Sequence, residues 1–338
     1  MSQLGTNAVE SRFKVSVVTI TYNQESYIAQ AIDSVLMQEC DFDFEYIIGD
    51  DASTDGTAKI LRGYEHRHPE RIRLVVHEEN LGAQMNLAHV LGMCAGRYVA
   101  LLDGDDYWTS PHKLQTQADF MDANPECALS HHGYSILRAG PQFQTCEAVS
   151  ARARRSEIED LLDANFIAAC TVMYRWGLLD ALPPWWGDTS LGDYPLNVLH
   201  AQHGWIGYID EVMATYRVHG AGLWSGRAQD ICMNEFLSVL RRLDQTLEFR
   251  YHKAIKRSIR SHERTREFDF RCDQAREFLH GGDRQSATMS ALWVAAHVGW
   301  RGRRSLKDVL IVILQAASPR LLEMIVAFKR AVQERFSR

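Results

Sequence analysis

The densest chemistry in the chain lies in four residues, Asp103-Gly-Asp-Asp106. They follow a short apolar run, Tyr98-Val-Ala-Leu-Leu102, and precede Tyr107-Trp108. Three adjacent carboxylates repel one another, and a divalent cation bridging them to a phosphate is the simplest reason to keep them together. Gly104 removes a side chain between two acidic residues, which predicts that Asp103 and Asp105 turn toward one point. Asp and Gly are also the usual residues of turns, so a plain turn is the competing reading.

Such residues need a frame to hold them. Val99–Leu102 lacks polar alternation and is too short for a helix, which fits a buried strand. Val15–Ile20, Phe44–Ile48 and Arg73–His77 read as three further strands. Between them, Ser26–Met37 sets Ile28, Ile32, Val35 and Leu36 on one helical face. Thr57–His66, capped by Thr54 or Asp55, and Gln84–Cys94 are the next helices. Strand and helix in quick alternation predict an α/β domain with a mostly parallel central sheet flanked by helices. Ligands of such sheets sit at the carboxyl ends of the strands. Thr21–Asn23, Asp50–Asp51 and Asp103–Asp106 all fall there. Further on, the pattern predicts a helix over Thr109–Ala123 with Pro111 in its first turn, and a strand over Ala128–Ile136. Ala151–Asp163 reads as a solvated helix or loop, Phe166–Tyr174 as a strand, and Leu196–Gln202 as a helix. Gly207–Asp210 and Val212–Val218 lead to a glycine-rich loop, His219-Gly-Ala-Gly222.

Composition narrows the partners. The 338 residues, 46% apolar and 24% charged, are ordinary for a globular protein and long enough for one large domain with an appendage. The net charge of −6 hides an asymmetry. Residues 1–226 hold 15 Lys/Arg against 30 Asp/Glu, and residues 227–338 hold 22 against 13. An acidic front half argues against a nucleic-acid partner. Seven scattered cysteines without a CxxC pair fit reduced thiols in the cytoplasm and no zinc site. No stretch is long and apolar enough to be a signal peptide or a membrane span.

In order along the chain, VSVVTITYNQ, GDDASTDGT, NLG, AGRYVALLDGDDYW, and GDYPL followed by YRVH resemble the family 2 glycosyltransferases. Those enzymes have the GT-A fold, a Rossmann-like sheet; the resemblance covers residues 13–226, and residues 1–226 are read as the first domain. GDDYW…KL…Q…F and GDYPL…IGYIDEVMATYRVHG look most like bacterial members that build surface polysaccharides. The resemblance implies a nucleotide-sugar donor (UDP-, GDP- or dTDP-linked), a glycan or lipid-linked acceptor, and Mg²⁺ or Mn²⁺. Residue by residue, it implies that Tyr22 and Asn23 pack on the nucleotide base and that Asp51 accepts a hydrogen bond from it. Asp50 is read as a turn residue at the strand end. Asp103 and Asp105 match the DxD pair that holds the cation on the diphosphate; Asp103 could instead orient the ribose, and Asp106 lends support. Asp193 matches the general base, with Gly192 standing where the family usually has a second acid and Asp188 as the fallback. One base facing one displacement implies inversion at the anomeric carbon. His219 has two readings, a metal or diphosphate contact and an ordinary loop hydrogen bond. Arg217 is a candidate clamp for the diphosphate. Trp185, Trp186 and Trp224 are read either as sugar-stacking rings or as anchors.

Processive members carry a QxxRW motif after the base. Here Arg175-Trp176 precedes Asp193 and Val172 occupies the Gln position, which implies single additions. Residues 227–338 read as a basic, mainly helical C-terminal region. Leu306, Val309, Leu310, Ile313, Leu321, Leu322, Ile325 and Val326, interleaved with Arg303, Lys307 and Lys329, make amphipathic helices. Their partner is either the front domain, a second protomer in a homo-oligomer, or an anionic membrane at the inner face of the plasma membrane. Two other functions stay open at this point: a sugar-nucleotide nucleotidyltransferase and a non-catalytic interaction protein. The former calls for a glycine-rich, basic loop after the first strand, and TYNQES is not one.

Overall fold

The computed structural model describes residues 12–138, 144–149, 153–220, 222, 227–280 and 286. The chain forms two compact units, Met1–Ser258 and Ile259–Arg338. The first contains β1 (Val15–Thr21), α1 (Ile28–Leu36), β2 (Phe44–Asp50), α2 (Thr57–Arg67), β3 (Ile72–Val76), α3 (Ala83–Leu91) and β4 (Tyr98–Leu101). It continues with β5 (Tyr107–Trp108), α4 (Lys113–Ala123), β6 (Cys127–Arg138), β7 (Gln144–Val149), β8 (Arg155–Ser156), α5 (Ile158–Asp163) and β9 (Met173–Arg175). Then come α6 (Asp193–Ala201), β10 (Trp205–Val218), α7 (Gln229–Thr246) and the start of α8 (His252–His280).

The strands form one sheet in the order β3-β2-β1-β4-β9-β6-β10-β5, with β7 on β6 and β8 on β10. β3, β2, β1 and β4 are parallel neighbours, and β6 and β10 are parallel to each other. β9 runs against both β4 and β6, so β3, β2, β1, β4, β6 and β10 share one direction. β1 is continuous in Val, Ile and Thr because helices cover both faces of a parallel sheet, and six of its seven residues are buried. On α1, Ile28, Ala31, Ile32 and Val35 are fully buried, the spacing of one helical face.

Register carries the polar loops to one edge. Thr21 lies opposite Asp50, and Val18 opposite Leu101. The amide of Asp51 donates to Thr21 O at 3.0 Å, and that of Gly104 to Ile20 O at 3.2 Å. A second alignment was not visible in the sequence. β5 pairs antiparallel with β10, Trp108 opposite Ala214 and Tyr107 opposite Thr215. This two-residue ladder brings the YRVH segment beside the acidic turn.

Several elements differ from the sequence reading, among them α5, which buries Ile158, Leu161 and Leu162 where a solvated helix or loop is expected. Only Met173–Arg175 of the apolar run after Phe166 is a strand, because the carbonyls before it go to side chains. Trp108 Nε1 donates to Cys170 O at 2.9 Å, Gln117 Nε2 to Thr171 O at 3.0 Å and Thr171 Oγ1 to Ala168 O at 2.7 Å. α6 begins at Asp193 rather than Leu196, and Pro111 precedes α4 rather than lying in its first turn. The composition changes at Gly226, yet the compact unit runs to Ser258. α7 buries Leu237, Val239, Leu240 and Leu243, and Glu235 accepts from Thr189 Oγ1 and the Ser190 amide, both at 2.8 Å. No described helix is long and apolar enough to cross a membrane. The basic amphipathic residues 303–329 lie outside the described residues.

Arg175, half of the RW pair, is a brace. Its guanidinium donates to Cys127 O, Met121 O and Asn124 O at 2.8–3.1 Å, closing the C-terminal end of α4. Arg175→Met removes three charge-assisted hydrogen bonds, although Met121 O and Asn124 O still accept the Asn124 and Cys127 amides, and urea denaturation is expected to show a loss of about 2–4 kcal/mol.

Candidate active site

The acidic residues form a tight turn off β4. The amide of Asp106 donates to Asp103 O at 3.0 Å, and Leu102 continues the ladder by donating to Val18 O at 3.0 Å. Gly104 is required here by close approach: a Cβ would stand 2.3 Å from Gln24 Oε1 and 3.1 Å from Ile28 Cδ1 and Thr21 Cβ. The turn is therefore pressed against the β1–α1 loop, a reason for glycine that the spacing of the carboxylates did not show.

Asp103 and Asp105 are half-buried, and Asp106 is buried. Burial pushes Asp103 upward, and the neighbouring charges of Asp105 and Asp193 push it further. Asp106 is driven well up by burial and then by Asp105 and Asp103. The structure therefore brings Asp193, from the first residue of α6, to the acidic turn. Burial raises the Asp193 carboxyl, partly opposed by the amides of Tyr194 and of Asp193 itself in the opening turn of α6. Below it, the phenol of Tyr174 donates to Asn197 Oδ1 at 2.6 Å, tying β9 to α6. Asp188, the fallback base, is exposed at the end of a short 3₁₀ turn, 3.7 Å from Arg242.

β10 supplies the other wall. His219 Nε2 lies 2.9 Å from Asp105 Oδ2, and its ring packs on Tyr27 with centroids 4.9 Å apart. The Arg217 amide donates to Asp106 Oδ1 at 2.7 Å, prolonging the β5–β10 ladder. Its guanidinium donates to Asp105 O and Gln30 Oε1 and lies between the rings of Tyr27 and Tyr107, 5.1 and 4.7 Å from their centroids. Arg217 thus braces the turn in this structure. Residues 223–226, with Trp224, lie outside the described residues.

The nucleotide-side residues divide similarly. Tyr22 is 45% exposed at the end of β1. Asn23, in a left-handed conformation (φ 53°), uses its side chain to accept the Thr54 amide at 2.7 Å. With the amides of Asn23 and Gln24 on Ser53 Oγ and Thr57 Oγ1, it zips the β1–α1 loop to the β2–α2 loop. Asp51 is buried, each carboxylate oxygen accepting one backbone amide, Leu81 at 2.7 Å and Gly82 at 3.0 Å. That leaves one lone pair per oxygen for a ligand. Asp50 accepts from Ser53 Oγ, as befits a strand-end residue, and burial raises its pKa. Trp186 donates through Nε1 to Gln84 O at 2.7 Å and is buried, an anchor; Trp185 Nε1 donates to Thr246 Oγ1 at 3.0 Å.

One site residue was missed. The Tyr216 phenol is raised by burial and by the charges of Asp106, Asp103, Asp193 and Asp105, so it lies within their electrostatic reach. The only signal was its place beside Arg217, one residue ahead in an alternating strand. Among the described residues, no three His, Cys, Asp or Glu side chains make a ready cage for a metal ion.

With the geometry in place, residues 16–175 match the model of Glycosyl transferase family 2. These residues are a family 2 glycosyl transferase domain. An uncharacterized protein of Mycobacterium tuberculosis is 37% identical over 218 residues, 64% of this chain and 62% of the relative. The chain thus spans about three-fifths of that relative's length. An uncharacterized glycosyltransferase of a Nostoc species is 32% identical over 224 residues, covering 62% of this chain and 66% of its own. A UDP-Glc:α-D-GlcNAc-diphosphoundecaprenol β-1,3-glucosyltransferase of Escherichia coli is 34% identical over 126 residues, 37% of this chain and 47% of its own. Among solved structures, a mannosyltransferase of Pyrobaculum calidifontis with GDP-Man and Mn²⁺ aligns at TM-score 0.57 and 16% identity, covering 93% of this chain and 83% of that one. S. aureus TarS 1–349 with UDP-GlcNAc aligns at TM-score 0.53 and 18% identity, covering 91% and 82%. The family 2 domain therefore has the GT-A fold. The family match ends at Arg175, short of Asp193, Arg217 and His219.

Proposed function

We propose that the protein is an inverting, metal-dependent glycosyltransferase that moves one sugar from a nucleoside-diphosphate sugar to a hydroxyl of a glycan or lipid-linked acceptor. The observation that carries this reading is the convergence of Asp103, Asp105 and Asp193, from two separate elements, at the carboxyl edge of the sheet. Relatives named for such transfers, one of them using a diphosphoundecaprenol-linked acceptor, support it.

The residues fit a divalent cation. Burial and mutual repulsion raise Asp103 and Asp106, the electrostatics of a site made to receive positive charge. Asp105 and Asp103 would hold the ion, with His219 beside Asp105, and phosphate oxygens would complete the shell. A site of one or two carboxylates plus phosphates suits Mg²⁺ or Mn²⁺, and it explains why no all-protein cage is present among the described residues. When bound, such an ion supplies Lewis-acid stabilisation of the departing diphosphate. Asp193 takes the proton of the acceptor hydroxyl as its oxygen bonds to the anomeric carbon. The bond from that carbon to the diphosphate breaks, and its electron pair leaves on the phosphate oxygen. A single displacement of this kind inverts the anomeric centre. Tyr22 and Asp51 flank the donor base, with Asp51 held in place by the Leu81 and Gly82 amides.

Binding tests this directly. Thermal unfolding with UDP, GDP or dTDP and Mn²⁺ is expected to show a higher Tm with one of them, because a ligand bound by the native state adds stability by mass action. No Mn²⁺-dependent shift with any nucleoside diphosphate sinks the reading.

A further inference from the structure

Asp193 opens α6, and that helix starts without a capping side chain, because its N-cap is Gly192. The chain leading into it is held instead by α7. Glu235 Oε1 accepts Thr189 Oγ1 and the Ser190 amide, both at 2.8 Å. Thr189 Oγ1 in turn accepts the Leu191 amide at 3.1 Å. One carboxylate oxygen and one buried hydroxyl thus tie three successive residues, 189–191. On the other side of Asp193, the ring of Phe236 packs on buried Tyr194 with centroids 4.9 Å apart. Gly192-Asp193 therefore lies between two points fixed by neighbouring residues of α7.

The clamp is a charged one. Burial works against the Glu235 carboxylate, but the Ser190 amide, the Thr189 hydroxyl and the charges of Arg227 and Arg242 hold its pKa below the ordinary value. Hydrogen bonds to an ionised acceptor are about twice as strong as neutral ones. Arg227 adds a bond to the same segment, donating to Ser190 Oγ at 2.7 Å. Thr189, Ser190, Arg227 and Arg242 all lie outside the acidic turn, so the clamp bears on Asp193 rather than on the groups proposed to hold the cation. A general base works only within hydrogen-bond reach of its proton, and a misplacement of about 1 Å costs on the order of 10²-fold. We propose that Glu235 is a positioning residue of the transfer reaction: from α7 it clamps residues 189–191 and so sets the reach of Asp193 toward the acceptor hydroxyl. The inference rests on the reading of Asp193 as the base.

The test is a cycle of substitutions in the full chain. The rate is the release of nucleoside diphosphate, with Mn²⁺ present and water as the acceptor, from a panel of UDP-, GDP- and dTDP-linked hexoses. Glu235→Ala is expected to lower kcat about 100-fold and to leave the KM for the nucleotide sugar within about twofold. Glu235→Gln keeps an Oε1 that can accept from both donors, and it is expected to recover most of that loss. In the Asp193→Asn background, Glu235→Ala is expected to change the residual kcat by less than about twofold, because two residues serving one proton transfer are not additive. A merely structural glutamate lowers kcat alike in both backgrounds. Equal losses in the two backgrounds, an unchanged kcat in Glu235→Ala, or a rise in KM alone overturns the inference. If Glu235→Ala does not fold, Thr189→Val removes the hydroxyl link to Leu191 and is judged by the same outcomes. Full turnover in Asp193→Asn, or a natural protein that neither binds nor cleaves any of the panel, refutes the reading on which the inference rests and the inference with it.

Discussion

Asp193→Asn is expected to leave the affinity for nucleoside diphosphate and Mn²⁺ within about twofold and to slow transfer by ~10²–10⁴, the range of a lost general base. The geometry separates the two effects. Asp193 reaches the acidic turn from α6, close enough to raise Asp103, while the residues proposed to hold the cation belong to the turn after β4. Asn preserves shape and can still accept hydrogen bonds, but it cannot take a proton. The pH profile gives a second check. Burial holds the Asp193 carboxyl above its ordinary value, so the proposed base is lost by protonation at a higher pH than a surface Asp would show. The acid limb of kcat is therefore expected at a higher pH than an unperturbed carboxylate would give, and to vanish in the residual rate of Asp193→Asn. Turnover that survives the substitution moves the base elsewhere.

The part of this site that was legible in the sequence is the part built from local signals. β1, β2 and β4 are continuous buried runs that end in polar loops, so both the strands and their carboxyl ends could be located. The loss of information begins where long-range pairing decides. Tyr107-Trp108 is too short to read as a strand, yet its ladder with Ala214–Thr215 is what sets Arg217 and His219 on the turn. A cation near acidic residues is visible in sequence; whether its donors are already committed is not, and Arg217 is bound to Asp105 O and Gln30. The left-handed backbone of Asn23, whose side chain accepts the Thr54 amide, was likewise not visible in the sequence. Lys113 shows a third kind of limit. A lysine opening a helix reads as solvated, but Leu114, Gln117, Ala118 and Met121 are buried along the same helix and Lys113 goes in with them.

Asp105→Asn separates stability from cation binding by moving them in opposite directions. The Asp105 charge contributes to the upward shift of both Asp103 and Asp106, so removing it relieves repulsion in the cation-free protein. The fold of the turn does not need the charge. The Asp105 carbonyl still accepts from Arg217, and an amide oxygen can accept from His219 Nε2 where Oδ2 now stands at 2.9 Å. In chelator, the Tm of Asp105→Asn is therefore expected to equal or exceed that of the natural protein. With Mn²⁺ present, affinity for the nucleoside diphosphate is expected to fall about 100-fold, because a neutral oxygen is a poor ligand for a hard cation that takes few protein carboxylates. Calorimetric titration in Mn²⁺ and in chelator distinguishes the two terms, since only the first should change. A variant that loses stability in chelator as well would show Asp105 holding the turn by hydrogen bonding. One that keeps full Mn²⁺-dependent affinity would remove it from the cation shell and leave Asp103 as the principal ligand.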